Sequence, residues 1–523
     1  MVFVAMQNPF GFGATDLIEL FLAAVLVATL LTRARIVAVA GKLADRPILC
    51  MLFVAALPIG LRLALLPRHP VPAPRVADDF SYLLLGDTLA HFRLANPEHP
   101  MRRFFEGVFV LQEPSWSSIY PLGQGLALAF GELAFRLPWA GVAISVGVFC
   151  ALCYWMLRAW VSPRWALAGG LLAVAEFGPL SSWMNNYWGG GVSAIAGCLV
   201  FGALPRLRNS HRTRDAILLG LGLGLQLLTR PFEFVLLLLI VFLFLVSPRS
   251  LAIAALVLLP AIALMLLQNK QVTGNWTTLP YQLSRYQYGV PTTFGFQPNP
   301  APHHALTVEQ QIDYDAQTAT HNDGGYLHRL GERVPFLRFF FLPPLYLALP
   351  VFLLTWKEPR FLRVAVAIAF FWLADAFYPY FYPHYVAAAA CLFILASVKS
   401  LEHLSRFRIG AQAASLILIL CFAHFLYYYG TAATESEADP EGRIAVNRQL
   451  DQALGKQLVF VRFWPQHGAR EWIHNAADID RARVVWAIDL GAAEDETLRR
   501  YYPDRHAWLL EPDAHPPRLT EFR

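Results

Sequence analysis

The sequence predicts a polytopic α-helical membrane protein with about 12 transmembrane helices and a small C-terminal α/β extracytoplasmic domain. Three observations carry this. Charged residues are only 15% of the 523 and hydrophobic ones are 56%, against roughly 25% charged in soluble domains. Apolar runs of about 16–22 residues recur along residues 1–430, the length a helix needs to cross a bilayer. Charge is concentrated at the far end, where residues 431–523 hold 28 of the 79 charges, 12 basic and 16 acidic. The rest of the chain is sparsely charged and basic, which marks cytoplasmic loops and gives no reason to expect nucleic acid as a partner.

Taken in order, the candidate spans are about 16–32, 48–66, 139–159, 164–181, 188–205, 215–230, 232–247, 250–268, 336–356, 361–378, 384–400 and 410–429. Residues 1–15 contain no Lys or Arg, so a cleavable signal peptide is not expected. Arg33, Arg35, Lys42 and Arg46 follow the first run and place the N-terminus outside. A further apolar run, 121–137, is short and contains Gly123, Gly125, Gly131 and Glu132. If it does not span, the basic loops at Arg158/Arg164, Arg206–Arg214, Arg249, Lys357–Arg363 and Lys399–Arg408 all fall inside. Parity therefore makes 121–137 an interfacial or re-entrant helix of the first outer loop, 67–137.

Two more segments then face outward: a polar, Tyr-rich loop, 269–335, and the C-terminal piece 431–523. In the latter, "QLVFVRF" (457–463), "RVVWAIDL" (483–490) and "HAWLLEP" (506–512) read as buried strands. Helical stretches near 441–454, 470–481 and 494–502 alternate with them, the pattern of a small parallel sheet. No G-x-G-x-x-G follows a strand, so a dinucleotide site has no support. The polar stretch "FWPQHGAREWIHNAADID" (463–480) is its candidate functional edge. The six cysteines all lie in apolar runs, which excludes a disulfide framework and leaves "CALC" (150–153) as one turn of a membrane helix.

Charges inside spans are costly and mark function. In this topology Arg62, Glu176, Arg230, Glu233 and Asp375 sit near the outer ends of spans, level with Asp78 and Asp79 of the first outer loop. Taken singly, each is explained by snorkelling or by capping a helix end. Gathered on one side, they outline a site with carboxylates, arginines, tyrosines and apolar flanks. Arginine grips a phosphate. A carboxylate takes the proton of a hydroxyl. An apolar flank suits a lipid tail. Together these describe sugar transfer from a lipid-phosphate donor, and a single base opposite a departing phosphate implies inversion.

The stretches "ADDFSYLLLGDTLAH" (77–91), "SIYPLGQG" (118–125), "NNYWGG" (185–190), "TRPFE" (229–233) and "YPHY" (382–385) resemble those of the GT-C membrane glycosyltransferases. The resemblance runs over roughly 45–430 and is nearest the branch of protein O-mannosyltransferases and lipid A aminoarabinose and galacturonic acid transferases. It implies a GT-C-like fold, residues 1–430 as the catalytic domain, and a polyprenyl-phosphate-linked sugar as donor. It implies a glycan, lipid or protein acceptor, and a multi-pass place in a bacterial inner membrane with the site facing the periplasm or outside. The essential acid of the family maps to Asp78 or Asp79. The start of its interfacial helix maps to Tyr120, Pro121, Gly123 and Gln124. Where related chains read "KYPPGQG", Ile119 and Leu122 stand here, so Arg62, Arg230 or Arg285 takes the phosphate role. Tyr82, Glu106, Tyr187, Glu233, His384 and Tyr385 complete the candidate substrate-binding set.

Some GT-C enzymes bind a divalent cation near the acidic loop. No closed Cys/His set occurs here, so a metal site would be open and oxygen-rich. The rival readings are a polysaccharide polymerase or ligase using lipid-diphosphate glycans, for which His384 is a candidate base, and a transporter. A transporter would place charges near the bilayer midplane and show two related halves, and the sequence shows neither.

Overall fold

The computed structural model describes residues 41–522, apart from 211, 245, 435–438, 440–441, 466 and 469, together with residues 21, 22, 25, 26 and 29. The expected first span therefore lies largely outside the described residues. Six described helices are long and apolar enough to cross a membrane: Pro47–Ala64, Pro138–Leu157, Gly191–Ser210, Pro248–Thr273, Pro383–Leu404 and Gly410–Thr434. Between them run Pro163–Phe177, Thr213–Thr229, Pro231–Leu243 and Pro359–Asp375. Proline opens many of these helices, where its fixed φ suits the first turn and its missing N–H would have had no partner. Leu256 and Leu259 of the Pro248–Thr273 helix are largely exposed, an arrangement suited to lipid and unfavourable in water.

The expected span at 336–356 is not an α-helix. Three 3₁₀ segments, Val334–Phe339, Pro343–Leu347 and Leu349–Lys357, stand in its place. Pro335, Pro343, Pro344 and Pro350 explain the difference, because each removes a backbone donor and crowds the preceding turn. The segment stays apolar at its surface, with Leu347, Leu353 and Leu354 largely exposed, but apolar composition was the wrong signal for helix type.

The first large loop, 67–137, is built on the Ala77–Ala90 helix, which leaves an extended Val76 with Asp78 and Asp79 in its first turn. It crosses the Leu122–Phe135 helix closely. A Cβ on Gly86 would lie 2.7 Å from Leu128 Cβ, and one on Gly125 would lie 2.4 Å from Leu85 Cγ, so glycine is what lets these two helices meet. A short antiparallel pair, Val110–Leu111 with Ser117–Ser118, closes the loop. The second loop contains the Pro280–Tyr288, Val308–Asn322 and Tyr326–Arg333 helices. Val308–Asn322 begins with a reciprocal cap: Gln310 N–H donates to Thr307 Oγ1, 3.2 Å, and Thr307 N–H to Gln310 Oε1, 3.0 Å.

The C-terminal segment forms a four-stranded sheet in the order Val484–Ile488, Lys456–Val461, Arg505–Glu511, Arg518–Glu521. The first three strands are parallel, with Gln457 opposite Val484 and His506; the last is antiparallel, with Leu510 opposite Leu519. Helices Arg443–Gln452 and Ala492–Tyr501 accompany it. Residues 470–481, expected as a helix, are irregular apart from the 3₁₀ turn Ile479–Arg481. Asn475 accounts for this. Its side chain donates to the Trp486 carbonyl and accepts from the Trp486 N–H, 2.8 and 2.9 Å, which ties the segment flat against the edge strand. The sheet rests on the first large loop: Leu458, Phe460 and Val485 share a core with Leu84, Phe105, Val110 and Trp116.

Candidate active site

A cavity of about 440 Å³ lies where the two large loops meet the helix ends. Asp78, Tyr82 and Tyr120 line it from the first loop. Arg230 and Glu233 line it from the turn between two helices, Arg285 and Asp313 from the second loop, and Asp375, His384 and Tyr385 from the 375–385 turn. The chain thus brings together groups more than three hundred residues apart in sequence.

Asp78 is half-buried and accepts a hydrogen bond from the Tyr120 hydroxyl. The Tyr120 ring is stacked on that of Tyr82, centroids 4.1 Å apart and nearly parallel. Burial raises the Asp78 carboxyl to about 6. The Tyr120 hydrogen bond and the Arg230 charge oppose that rise, and Asp79 adds to it. Arg230 donates from Nε to Glu233 Oε1, 2.6 Å, with its guanidinium over the Tyr385 ring at 4.2 Å. Arg285 donates to the carbonyls of Pro291 and Thr292, 3.0 and 3.1 Å. His384 meets the Trp188 ring edge to face at 4.9 Å.

Asp79 is next in sequence and differently placed. It is buried, and its carboxylate accepts from the backbone N–H groups of Tyr187, 2.9 Å, Arg75, 3.0 Å, and Val76, 3.5 Å. It caps its own helix and fastens the 185–190 turn, and it does not line the cavity. Arg62 is likewise outside the cavity. Its guanidinium donates to Asn185 Oδ1, 2.7 Å, and to the carbonyls of His69 and Pro70, 2.8 and 2.9 Å. Tyr187 donates its hydroxyl to the Pro72 carbonyl, 2.8 Å, and Gln124 donates to the Tyr187 carbonyl, 2.8 Å. Glu106 faces Gln310 at 3.5 Å; burial raises its carboxyl, opposed by hydrogen bonds from Tyr288 and Gln310. These five, Asp79, Arg62, Tyr187, Gln124 and Glu106, support the walls of the site and do not form its lining.

Asp313 was not singled out from the sequence. It lines the cavity from the Val308–Asn322 helix, accepts from Gln317 Nε2 at 2.6 Å, and is raised by burial to about 7. Tyr378, Tyr380 and Tyr382 of "FYPYFYPHY" join it. The signal was available: the Thr307–Gln310 cap starts a helix that carries Asp313 and Gln317 on one face, four residues apart. Among the described residues, the group of acids and histidines with ligand atoms within 4.8 Å of one another is Asp323, His328 and Glu332, all exposed, and none of these belongs to the acidic loop.

No protein-family model matches the sequence, and no curated protein matches it. Among solved structures the chain is similar to ArnT from Cupriavidus metallidurans, both in the apo state and bound to undecaprenyl phosphate. In each case the TM-score is 0.50 at 10% identity, covering 88% of this chain and 92% of that one. It is also similar to the archaeal oligosaccharyltransferase AglB from Archaeoglobus fulgidus in complex with an inhibitory peptide and a dolichol-phosphate, with a TM-score of 0.45 at 11% identity, covering 88% and 69%. The fold is that of the GT-C membrane glycosyltransferases.

Proposed function

We propose that the chain is an inverting glycosyltransferase that moves a sugar from a polyprenyl-phosphate donor to a hydroxyl of a glycan, lipid or protein on the outer face of the membrane. The observation that carries this is the placement of Asp78 and Arg230 in the lining of one cavity, with Asp79 turned away from it. The binding of undecaprenyl phosphate by the ArnT neighbour supports the donor class.

The chemistry follows from the lining. The acceptor hydroxyl gives its proton to Asp78 as its oxygen attacks the anomeric carbon. The bond from that carbon to the phosphate oxygen breaks, and the phosphate keeps the electron pair. Arg230 and Arg285 receive its charge. A carboxyl at about 6 is ionised at neutral pH and more basic than an ordinary aspartate, which suits a general base. Attack from the face opposite the phosphate inverts the anomeric centre. Glu233 holds Arg230 in place, and the tyrosines supply hydroxyl and ring surface for the sugar.

If a divalent cation is used, the carboxylates of Asp78 and Asp313 offer the all-oxygen donors a hard cation prefers, and chelation then lowers transfer without unfolding the protein. The working arrangement is about 12 spans within residues 1–430, with 431–523 exported, in a bacterial inner membrane. A reporter fused after residue 430 should score as exported; cytoplasmic activity would contradict that topology.

The test is transfer by purified protein from a polyprenyl-monophosphate sugar, with the product anomer read by NMR. The expected product has the configuration opposite to the donor; a retained configuration contradicts the mechanism. His384 in the same lining favours a second reading, in which a lipid-diphosphate glycan is the donor and His384 the base. Turnover of the diphosphate and none of the monophosphate would select it.

A further inference from the structure

A second cavity, of about 380 Å³, lies on the other face of the Ala77–Ala90 helix. At 100° per residue, Asp78 and Tyr82 point one way, while Phe80, Leu84 and Asp87 point the other and line this second space. The facing walls are Glu132 of the Leu122–Phe135 helix and the 474–486 stretch of the C-terminal segment. The helix between the cavities means that a ligand here is not at the transfer centre.

The walls are held firmly. His474 is stacked between Phe80, 4.3 Å, and Trp486, 4.9 Å. Asn475 is tied to the edge strand on both sides of its amide. Asp87 accepts the Ala477 N–H at 2.7 Å and faces His91 Nδ1 at 3.1 Å. Glu132 is half-buried and has no polar partner among the described residues. Among the described residues no Lys or Arg lines the space. Burial and the nearby Arg443 hold the His474 imidazole down at about 3, so it is neutral. With Nδ1 donating to the Trp472 carbonyl at 3.0 Å, its Nε2 is an acceptor.

The charged and ionisable groups of this cavity are therefore hydrogen-bond acceptors, set among apolar and aromatic surface. A phosphate or uronate would meet two carboxylates and no cation. A cation would meet one unanswered carboxylate, since Asp87 already has two partners. A neutral sugar fits both halves of the lining: its hydroxyls donate to Glu132 and His474, and its C–H faces pack on the apolar side chains of Pro74, Leu83 and Pro138. We propose that this second cavity is a carbohydrate subsite that holds a neutral, hydroxyl-rich sugar of the acceptor, away from the reacting hydroxyl. That the sugar belongs to an acceptor rests on the transferase reading above; that it binds rests on the cavity alone.

The experiment uses the full-length protein in detergent on an array of neutral, uronate-bearing and phosphorylated oligosaccharides, with oligolysine as competitor. Retention is expected on members of the neutral set. It should weaken about tenfold in Glu132→Gln at unchanged Tm, and also in folded His474→Phe, which keeps the ring stack, loses the acceptor nitrogen and lowers Tm through the lost bond to the Trp472 carbonyl. It should persist in Asp78→Asn. Absence of neutral retention, preference for an anionic set, displacement by oligolysine, or indifference to both substitutions would overturn the proposal. Neutral retention that depends on Glu132 in a protein that transfers no sugar would leave this subsite standing and remove the transferase reading. Transfer by a protein that retains no neutral glycan would do the reverse.

Discussion

Two polar clusters meet at the start of the Ala77–Ala90 helix, one residue apart in sequence. Around Asp79, the carboxylate is spent on three backbone N–H groups, and Arg62, Tyr187 and Gln124 are spent on carbonyls and an amide. Around Asp78, the partners are a tyrosine hydroxyl and a nearby arginine, and the carboxylate opens onto a cavity. Both clusters contain an acid and an arginine at the ends of helices. What separates them is whether their hydrogen bonds are consumed by the backbone. A buried polar group whose capacity is filled by its own chain positions the fold; one left facing space can take a substrate.

Substitutions should divide along that line. Arg62→Ala leaves the His69 and Pro70 carbonyls and the Asn185 side chain without their donor, and stability should fall by about 3–5 kcal/mol; thermal unfolding of the detergent-solubilised protein reads it. Surviving folded protein should keep its donor KM, and a raised KM would move Arg62 into the other cluster. Asp79→Asn should cost about 1–3 kcal/mol, since an amide oxygen accepts less strongly than a carboxylate, with turnover per folded molecule within about threefold of the parent. Arg230→Ala should do the opposite, raising donor KM by about tenfold, near 1.4 kcal/mol, with a smaller change in Tm. Unchanged donor binding would remove Arg230 from the phosphate site.

A further expected effect is on pH dependence. Transfer should fall tenfold per unit below about pH 6, because the base must be ionised and burial holds Asp78 there. The Tyr120 hydroxyl favours the ionised form, so Tyr120→Phe should move this acid limb to higher pH. A limb that stays in place would mean that another group titrates.

Much of this comparison was hidden in the sequence. Apolar run length made the six long apolar helices legible, but the prolines at 335, 343, 344 and 350 turned one expected span into 3₁₀ segments, because backbone donors count as well as hydrophobicity. "TRPFE" and "YPHY" did mark cavity lining. Asp78 and Asp79 were not separable, since the N–H that occupies Asp79 comes from Tyr187, 108 residues on. Arg62 and Arg230 looked alike, each near the outer end of a span, and only the path of 69–70 back over Arg62 tells them apart. Asp313 went unnoticed in a polar loop whose helix is announced by a cap and not by apolar periodicity. The 470–481 stretch looked helical because its pinning by Trp486 is a tertiary contact.

Single-turnover transfer by Asp78→Asn, with the lipid-phosphate sugar already bound, tests the base directly. The expected result is donor held at parental affinity and product formed at about 10²–10⁴-fold lower rate. Product at near the parental rate would contradict the assignment of Asp78 and, with it, the division between the two clusters.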